Sequence, residues 1–168
     1  MPQVTFTQMI AKLAEMPALL EEAVYEALVK SAVEVQKTAV SKFGHYQPQI
    51  GPYPGWALLS INTVNRKMDY AGASGPNPLI GSYGPGEQRT IYPTSLRQSI
   101  AMDVRRAELT AYVGTNDPLG KWHEYGNEEW NVHYPPRPFL RPAIYQNEDY
   151  IRKTMEEAIG LGMVKGLR

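Results

Sequence analysis

Apolar side chains recur at helical spacing through the first quarter of the chain. Leu20, Val24, Leu28, Val35, Ala39 and Phe43 fall mostly four or seven apart, which leaves Glu22, Glu26, Lys30, Glu34 and Lys37 for solvent. Pro17 suits a first helical position, Glu21 and Glu22 sit near the positive end of the dipole, and Gly44 supplies a stop. The pattern predicts one helix over 17–43, about 40 Å long at 1.5 Å per residue. Further on the period changes to two. Ile100, Met102 and Val104 alternate with Ser99, Ala101 and Asp103, a polar break follows at 105–107, and Leu109, Ala111 and Val113 alternate with Thr110 and Tyr112. This is a β-hairpin pattern, and its face of Ile100, Met102, Leu109 and Val113 is the surface on which the long helix is expected to pack. Met1–Phe6 and the stretch 132–140 are further strand candidates. Pro135, Pro136 and Pro138 confine the second to a sheet edge or an extended arm. From Pro142 the stripe Ile144, Ile151, Met155 and Ile159 predicts a last helix over 142–160, ended by Gly160.

Glycine and proline change this picture in the middle. Residues 44–93 hold eight Gly and seven Pro, whereas residues 1–43 hold only Pro2 and Pro17. The stretch 44–93 is expected to be an extended loop excursion rather than regular helix, with too few apolar groups to offset the entropy of ordering it in an isolated subunit. The fold class is therefore α+β. The long N-terminal helix and the C-terminal helix pack on a small, mainly antiparallel sheet, with the excursion between them, and 168 residues make a single domain, 1–168.

Charge and chemistry exclude more than they suggest. Lys+Arg and Asp+Glu are 17 each, so the large positive excess of a free-standing nucleic-acid binder is absent. No apolar run reaches membrane-span length and no secretory leader pattern opens the chain, which points to synthesis in a cytoplasm and to no membrane partner. There is no Cys, so thiol nucleophiles and thiolate metal sites are excluded. W-H-E-Y-G-N at 122–127 lacks the second His four residues on that a helical zinc site needs. The set that a metal-dependent hydrolase would use is His123, Glu124 and His133, with Glu128 near them. No Ser stands in a G-x-S-x-G setting, and G-S-Y-G-P-G at 81–86 is no phosphate loop. No catalytic, cofactor-binding or metal-binding set is therefore expected, and the chain reads as a non-enzyme. Between 65 and 106 the bases Arg66, Lys67, Arg89, Arg97, Arg105 and Arg106 outnumber the acids six to three, a composition that suits phosphate contact or a solvated loop. P-P-R-P-F-L-R-P-A at 135–143 is a stiff arm bearing two apolar anchors, Phe139 and Leu140. It either pins the last helix to the core or docks on a neighbour, and Arg137 with Arg141, four apart, are placed to bracket a carboxylate.

Four strings in order, S-L-R-Q-S-I at 95–100, V-G-T-N-D-P at 113–118, W-H-E-Y-G-N at 122–127 and R-P-F-L-R-P-A at 137–143, resemble the tail-completion and neck proteins of long-tailed bacteriophages, a minor virion-morphogenesis family. W-A-L-L-S-I-N-T-V-N-R-K at 56–67 resembles the upstream segment of the longer members. Asn127 stands where the family usually has Thr, and Pro93-Thr94-Ser95 replaces its Thr-Gly. The resemblance implies a small α+β subunit without an active site, assembled with itself into a ring, commonly sixfold, at the junction of capsid connector and tail tube. It also implies contact with neighbouring neck and tail proteins and transient passage of genomic DNA. A tail terminator or a head-side adaptor ring is the alternative within that class. The candidate interface residues are Tyr53, Trp56, Arg137, Phe139, Leu140 and Arg141.

Overall fold

A computed structural model describes residues 6–71, 77–79, 96–127 and 134–167. The described residues form five helices and one two-stranded hairpin: α1 (Phe6–Ser41), α2 (Ile61–Ala71), β1 (Ile100–Arg105), β2 (Thr110–Thr115), α3 (Pro118–Tyr125), α4 (Leu140–Gln146) and α5 (Glu148–Leu167). The class is α+β, with the long N-terminal and C-terminal helices in the expected places. Of the strand candidate Met1–Phe6, Phe6 opens α1 and the rest lies outside the described residues, as do residues 72–76, 80–95 and 128–133.

Packing divides the chain into two compact units. One comprises residues 1–34, 103–112 and 147–168, and the other residues 35–102 and 113–146.

In the first unit α1 lies against α5. Gly162 is the point of closest approach, where an added Cβ would stand 2.9 Å from Leu20 Cδ2 and 3.3 Å from Leu20 Cα. The hairpin turn joins the same unit: the Arg106 guanidinium pairs with Glu21 and Glu22 and covers the Tyr25 ring, 5.3 Å from its centroid. Leu109 closes that turn in the left-handed region at φ 46°, and its N–H donates to the Arg106 carbonyl at 3.2 Å. The second strand consequently starts at Thr110, one residue later than the alternation predicts, and Leu109 is left exposed.

The second unit holds the main apolar cluster: Val35, Ala39 and Phe43 from α1 and the turn after it, with Trp56, Leu96, Ile100, Phe139 and Ala143. Phe43 and Phe139 meet edge to face, centroids 5.1 Å apart. Gln36 donates from its side-chain amide to the Ile100 carbonyl at 2.8 Å, which ties helix to strand. Gly44, at φ 90°, donates its N–H to the Pro78 carbonyl at 3.0 Å and turns the chain out of the helix.

Several expectations are corrected. α1 begins at Phe6, so Pro17 lies inside the helix, where it removes one ladder bond, instead of opening it. The buried face of α1 runs through Ala27, Ser31, Val35 and Ala39, while Leu20, Val24 and Leu28 are only half-buried, because small side chains line the close contacts. Of the hairpin face only Ile100 is buried; Met102 is exposed. The excursion is not structureless. Trp56 to Ala71 contains neither Gly nor Pro, and this run forms α2, capped where Ser60 Oγ accepts the Thr63 N–H at 3.3 Å. Ahead of it, residues 44–56 fold back on themselves through a bridge between Ile50 and Tyr53 and a Trp56 N–H to Gln47 carbonyl bond of 2.9 Å. The last helix is two, broken at Asn147, whose carbonyl accepts the Ile151 N–H at 2.8 Å. Gly160 does not end α5, which runs on to Leu167, and Ile144 and Ile159 are exposed.

The two α5 glycines give a direct test of that helix contact. A Cβ at Gly160 would meet nothing within 4 Å, so Gly160→Ala is expected to stabilise the protein by about 0.5–1 kcal/mol through helix propensity. Gly162→Ala is expected to destabilise it by about 1–3 kcal/mol through overpacking against Leu20. Urea unfolding of the two variants beside the parent checks both signs.

Candidate functional site

α3 is short and closely specified. Asp117 caps it, accepting the Leu119 N–H at 3.0 Å, Pro118 takes the first helical position, and Gly126 ends it at φ 78°. A Cβ at Gly126 would stand 2.8 Å from the Tyr134 carbonyl, so this position admits only glycine without displacement of that strand-like segment. Asn127 and Tyr134 then exchange backbone hydrogen bonds of 3.0 and 2.7 Å, and the proline-rich arm runs back along the helix to Arg137, whose N–H donates to the His123 carbonyl at 2.6 Å.

This geometry delivers the start of α4 to the Glu124 carboxylate. Oε2 accepts the N–H groups of Phe139 at 2.8 Å and Leu140 at 3.0 Å. Oε1 accepts the Arg141 N–H at 2.9 Å and its Nε–H at 3.0 Å, while Arg141 Nη2 donates to the Glu124 carbonyl at 2.6 Å. The Glu124 side chain is 5 % exposed. Burying a carboxylate is costly unless donors replace water, and here three otherwise orphaned helix N–H groups and a guanidinium do so. Glu124 is thus a helix cap supplied from a distant segment. Arg141 is in turn stacked between the Tyr125 and Tyr53 rings, 4.3 and 5.3 Å from their centroids, and Tyr53 meets Tyr145 edge to face at 6.1 Å.

Arg137 does not share that carboxylate, contrary to the expected bracket. It is 4 % exposed and donates to the Ala57 carbonyl from Nε and Nη2 at 3.2 and 3.0 Å, with Leu58 as a longer partner. Four residues apart in an extended arm that enters a helix, the two arginines leave on different sides, so Arg141 takes the carboxylate and Arg137 fastens residues 57–58 to the arm. Trp56 completes the fastening, its indole N–H donating to the Pro138 carbonyl at 2.9 Å.

Of the candidate interface residues, Trp56, Arg137 and Phe139 are interior groups of the chain itself, Phe139 being 0 % exposed. Tyr53, Leu140 and Arg141 are half-buried and lie together around the α4 start. Among the histidines, His45 is exposed, His133 lies outside the described residues with Glu128, and His123 is half-buried. The His123 ring nitrogens stand 3.2 Å from the Tyr134 hydroxyl. Burial above all, then the Arg137 and Lys67 charges, outweigh the opposing pull of Asp117 and lower its pKa to about 4. Both Glu124 oxygens are occupied by N–H donors, so His123 and Glu124 do not present a metal-binding pair. Sequence reasoning missed Tyr134 and Lys67 as neighbours of His123. Lys67 stood within the basic stretch, but nothing in the spacing placed α2 beside α3.

No protein-family model matches the chain, and neither a curated protein nor a solved structure matches it.

Two outcomes follow from this geometry. Glu124→Ala should cost about 3–5 kcal/mol, since it strands a guanidinium and three helix N–H groups, and Glu124→Gln should cost less because one oxygen still accepts; urea midpoints separate them. His123 is more basic in the unfolded chain than in the folded one. Its contribution is therefore undiminished above about pH 6.5 and is lost as pH falls towards about 4, by on the order of 2–3 kcal/mol. His123→Gln should flatten that part of the stability–pH curve, measured by urea unfolding between pH 4 and 7.

Proposed function

We propose that this chain is a structural virion protein of a long-tailed phage, a tail-completion or neck subunit that assembles with itself into a ring where the tail joins the capsid connector. The observation that carries this is the physical linkage of the four strings on which the resemblance rests. Ser99 of the first hydrogen-bonds Thr115 of the second, Asp117 of the second caps the helix that bears the third, and Glu124 of the third caps the helix entered by the fourth. Four short strings would be weak as separate coincidences. As successive parts of one interlocked unit they are a single structural device, matched in order.

The rest of the chemistry is consistent with an assembly role. Glu124, singled out as a candidate catalytic carboxylate, serves instead to hold backbone in place, and formal net charge is zero, which suits a channel that a duplex slides through without adhering. The last turns of α5 expose Ile159, Leu161, Met163 and Val164 in a stretch, 158–164, that carries no charge, which is apolar surface for neighbouring subunits to cover.

Reconstruction of the purified virion neck tests the proposal. A ring of this chain between connector and tail tube is expected, and a neck that lacks it would overturn the assignment. A ring seated on the tail end or on the connector alone would instead identify a terminator or adaptor. Leu161→Lys, at a position 60 % exposed, should leave the urea midpoint of the subunit within about 0.5 kcal/mol of the parent yet weaken ring formation in native mass spectrometry.

A further inference from the structure

Away from the Glu124 cap, the structure gathers a second set of donors. Arg137, His123 and Tyr134 are contiguous: the Arg137 Cζ stands 5.8 Å from the Tyr134 ring centroid, the His123 and Tyr134 rings are 5.1 Å apart, and the Arg137 N–H sits on the His123 carbonyl. Lys67 of α2 joins them, its ammonium held by the Asn77 carbonyl and close enough to Arg137 and His123 to act on both electrostatically. Among the described residues neither Lys67 nor Arg137 has a carboxylate at ion-pair distance; each spends its hydrogen bonds on main-chain carbonyls. Asp117, the acid that acts on His123, is buried and already accepts the α3 cap bond.

Two cations brought together in a partly buried place repel each other, and burial penalises each of them. A structural tether alone needs one arginine for residues 57–58, not a lysine beside it. We infer that Lys67, His123, Tyr134 and Arg137 form a receptor for a phosphate-type oxyanion. The donor inventory fits that ligand: a guanidinium, an ammonium, a phenol and an imidazole with one N–H offer several donors, while an oxyanion accepts from all of them and neutralises the pair of charges. Arg137 is the enclosed member, and Lys67, His123 and Tyr134 are half-buried. The phosphate can come from solution or from a nucleic-acid backbone. The site is independent of the ring proposal, because the test uses the isolated subunit.

The probe is inorganic phosphate at pH 7, compared with sodium chloride at the same ionic strength. Phosphate at ~20 mM is expected to raise Tm by about 3 °C or more over the chloride control. It is also expected to raise the His123 pKa, followed by imidazole NMR, since an adjacent anion favours the protonated ring. Lys67→Met and Tyr134→Phe should each reduce the phosphate effect at least threefold while the Tm in chloride stays near the parent's, so that loss of folding is not mistaken for loss of binding. In the absence of free phosphate, a short DNA duplex that itself raises the His123 pKa assigns the site to backbone phosphate, and one that leaves it unchanged assigns it to the free ion. Equal Tm in phosphate and chloride, or an undiminished phosphate effect in Lys67→Met, overturns the proposal.

Discussion

The buried Glu124 carboxylate is the constraint around which the second unit is organised. Its two oxygens take hydrogen bonds from three successive N–H groups and a guanidinium, so α4 cannot begin anywhere except where α3 presents that side chain. A carboxylate in a nearly dry place is tolerable only with this degree of satisfaction, and loss of any one donor exposes the remainder to the full desolvation cost. The cap therefore acts as a register pin. It fixes the residue at which the extended arm becomes helix, and with it the depth to which Phe139 enters against Phe43.

The arm works in the same sense from the backbone side. Pro135, Pro136 and Pro138 hold φ near its extended value and supply no N–H, so the segment has few polar groups to satisfy as it crosses the core. Its carbonyls and remaining N–H groups are used at specific points, His123 for Arg137 and Trp56 for Pro138. Stiffness reduces the entropy lost when Phe139 and Pro138 are buried, which helps a segment with no sheet partner along most of its length to hold one conformation.

Much of this was legible in the sequence, for reasons that are physical. The hairpin, the long first helix and the helical C-terminus follow from side-chain period, and period is what packing on one face imposes. The arm's stiffness is written in its prolines, and the meeting of an arm arginine with a carboxylate follows from the Arg137 and Arg141 spacing for one of the two. What period cannot reveal is which of several apolar stripes is most enclosed. On α1 the alanines at 27 and 39 are buried and the larger Leu20, Val24 and Leu28 less so, because close helix contacts select small side chains. Helix ends are equally opaque when the usual terminators act otherwise: Pro17 and Gly160 lie inside helices whose packing outweighs a cost of about 1–3 kcal/mol per residue. α2 was hidden by counting Gly and Pro over the whole of 44–93, when their absence from 56 to 71 was the local signal.

The juxtaposition of Lys67 with Arg137 marks the limit of sequence reading more sharply. Each residue is ordinary in its own segment, and their proximity depends on α2 and the arm being fastened by Ala57 and Leu58 carbonyls that no side-chain pattern encodes. The two arginines of the arm show the same contrast. Arg141 meets a carboxylate and is neutralised, whereas among the described residues Arg137 donates to carbonyl dipoles, which orient a guanidinium without cancelling its charge. A chain whose formal charges sum to zero can thus hold a guanidinium whose hydrogen-bond partners among the described residues are carbonyls. Net charge governs how the whole protein meets a polyanion at distance, while a local excess of this kind governs what it holds at contact. The two are separable properties, because a formal charge of zero is a sum over the whole chain and contact is made with only a few of its groups.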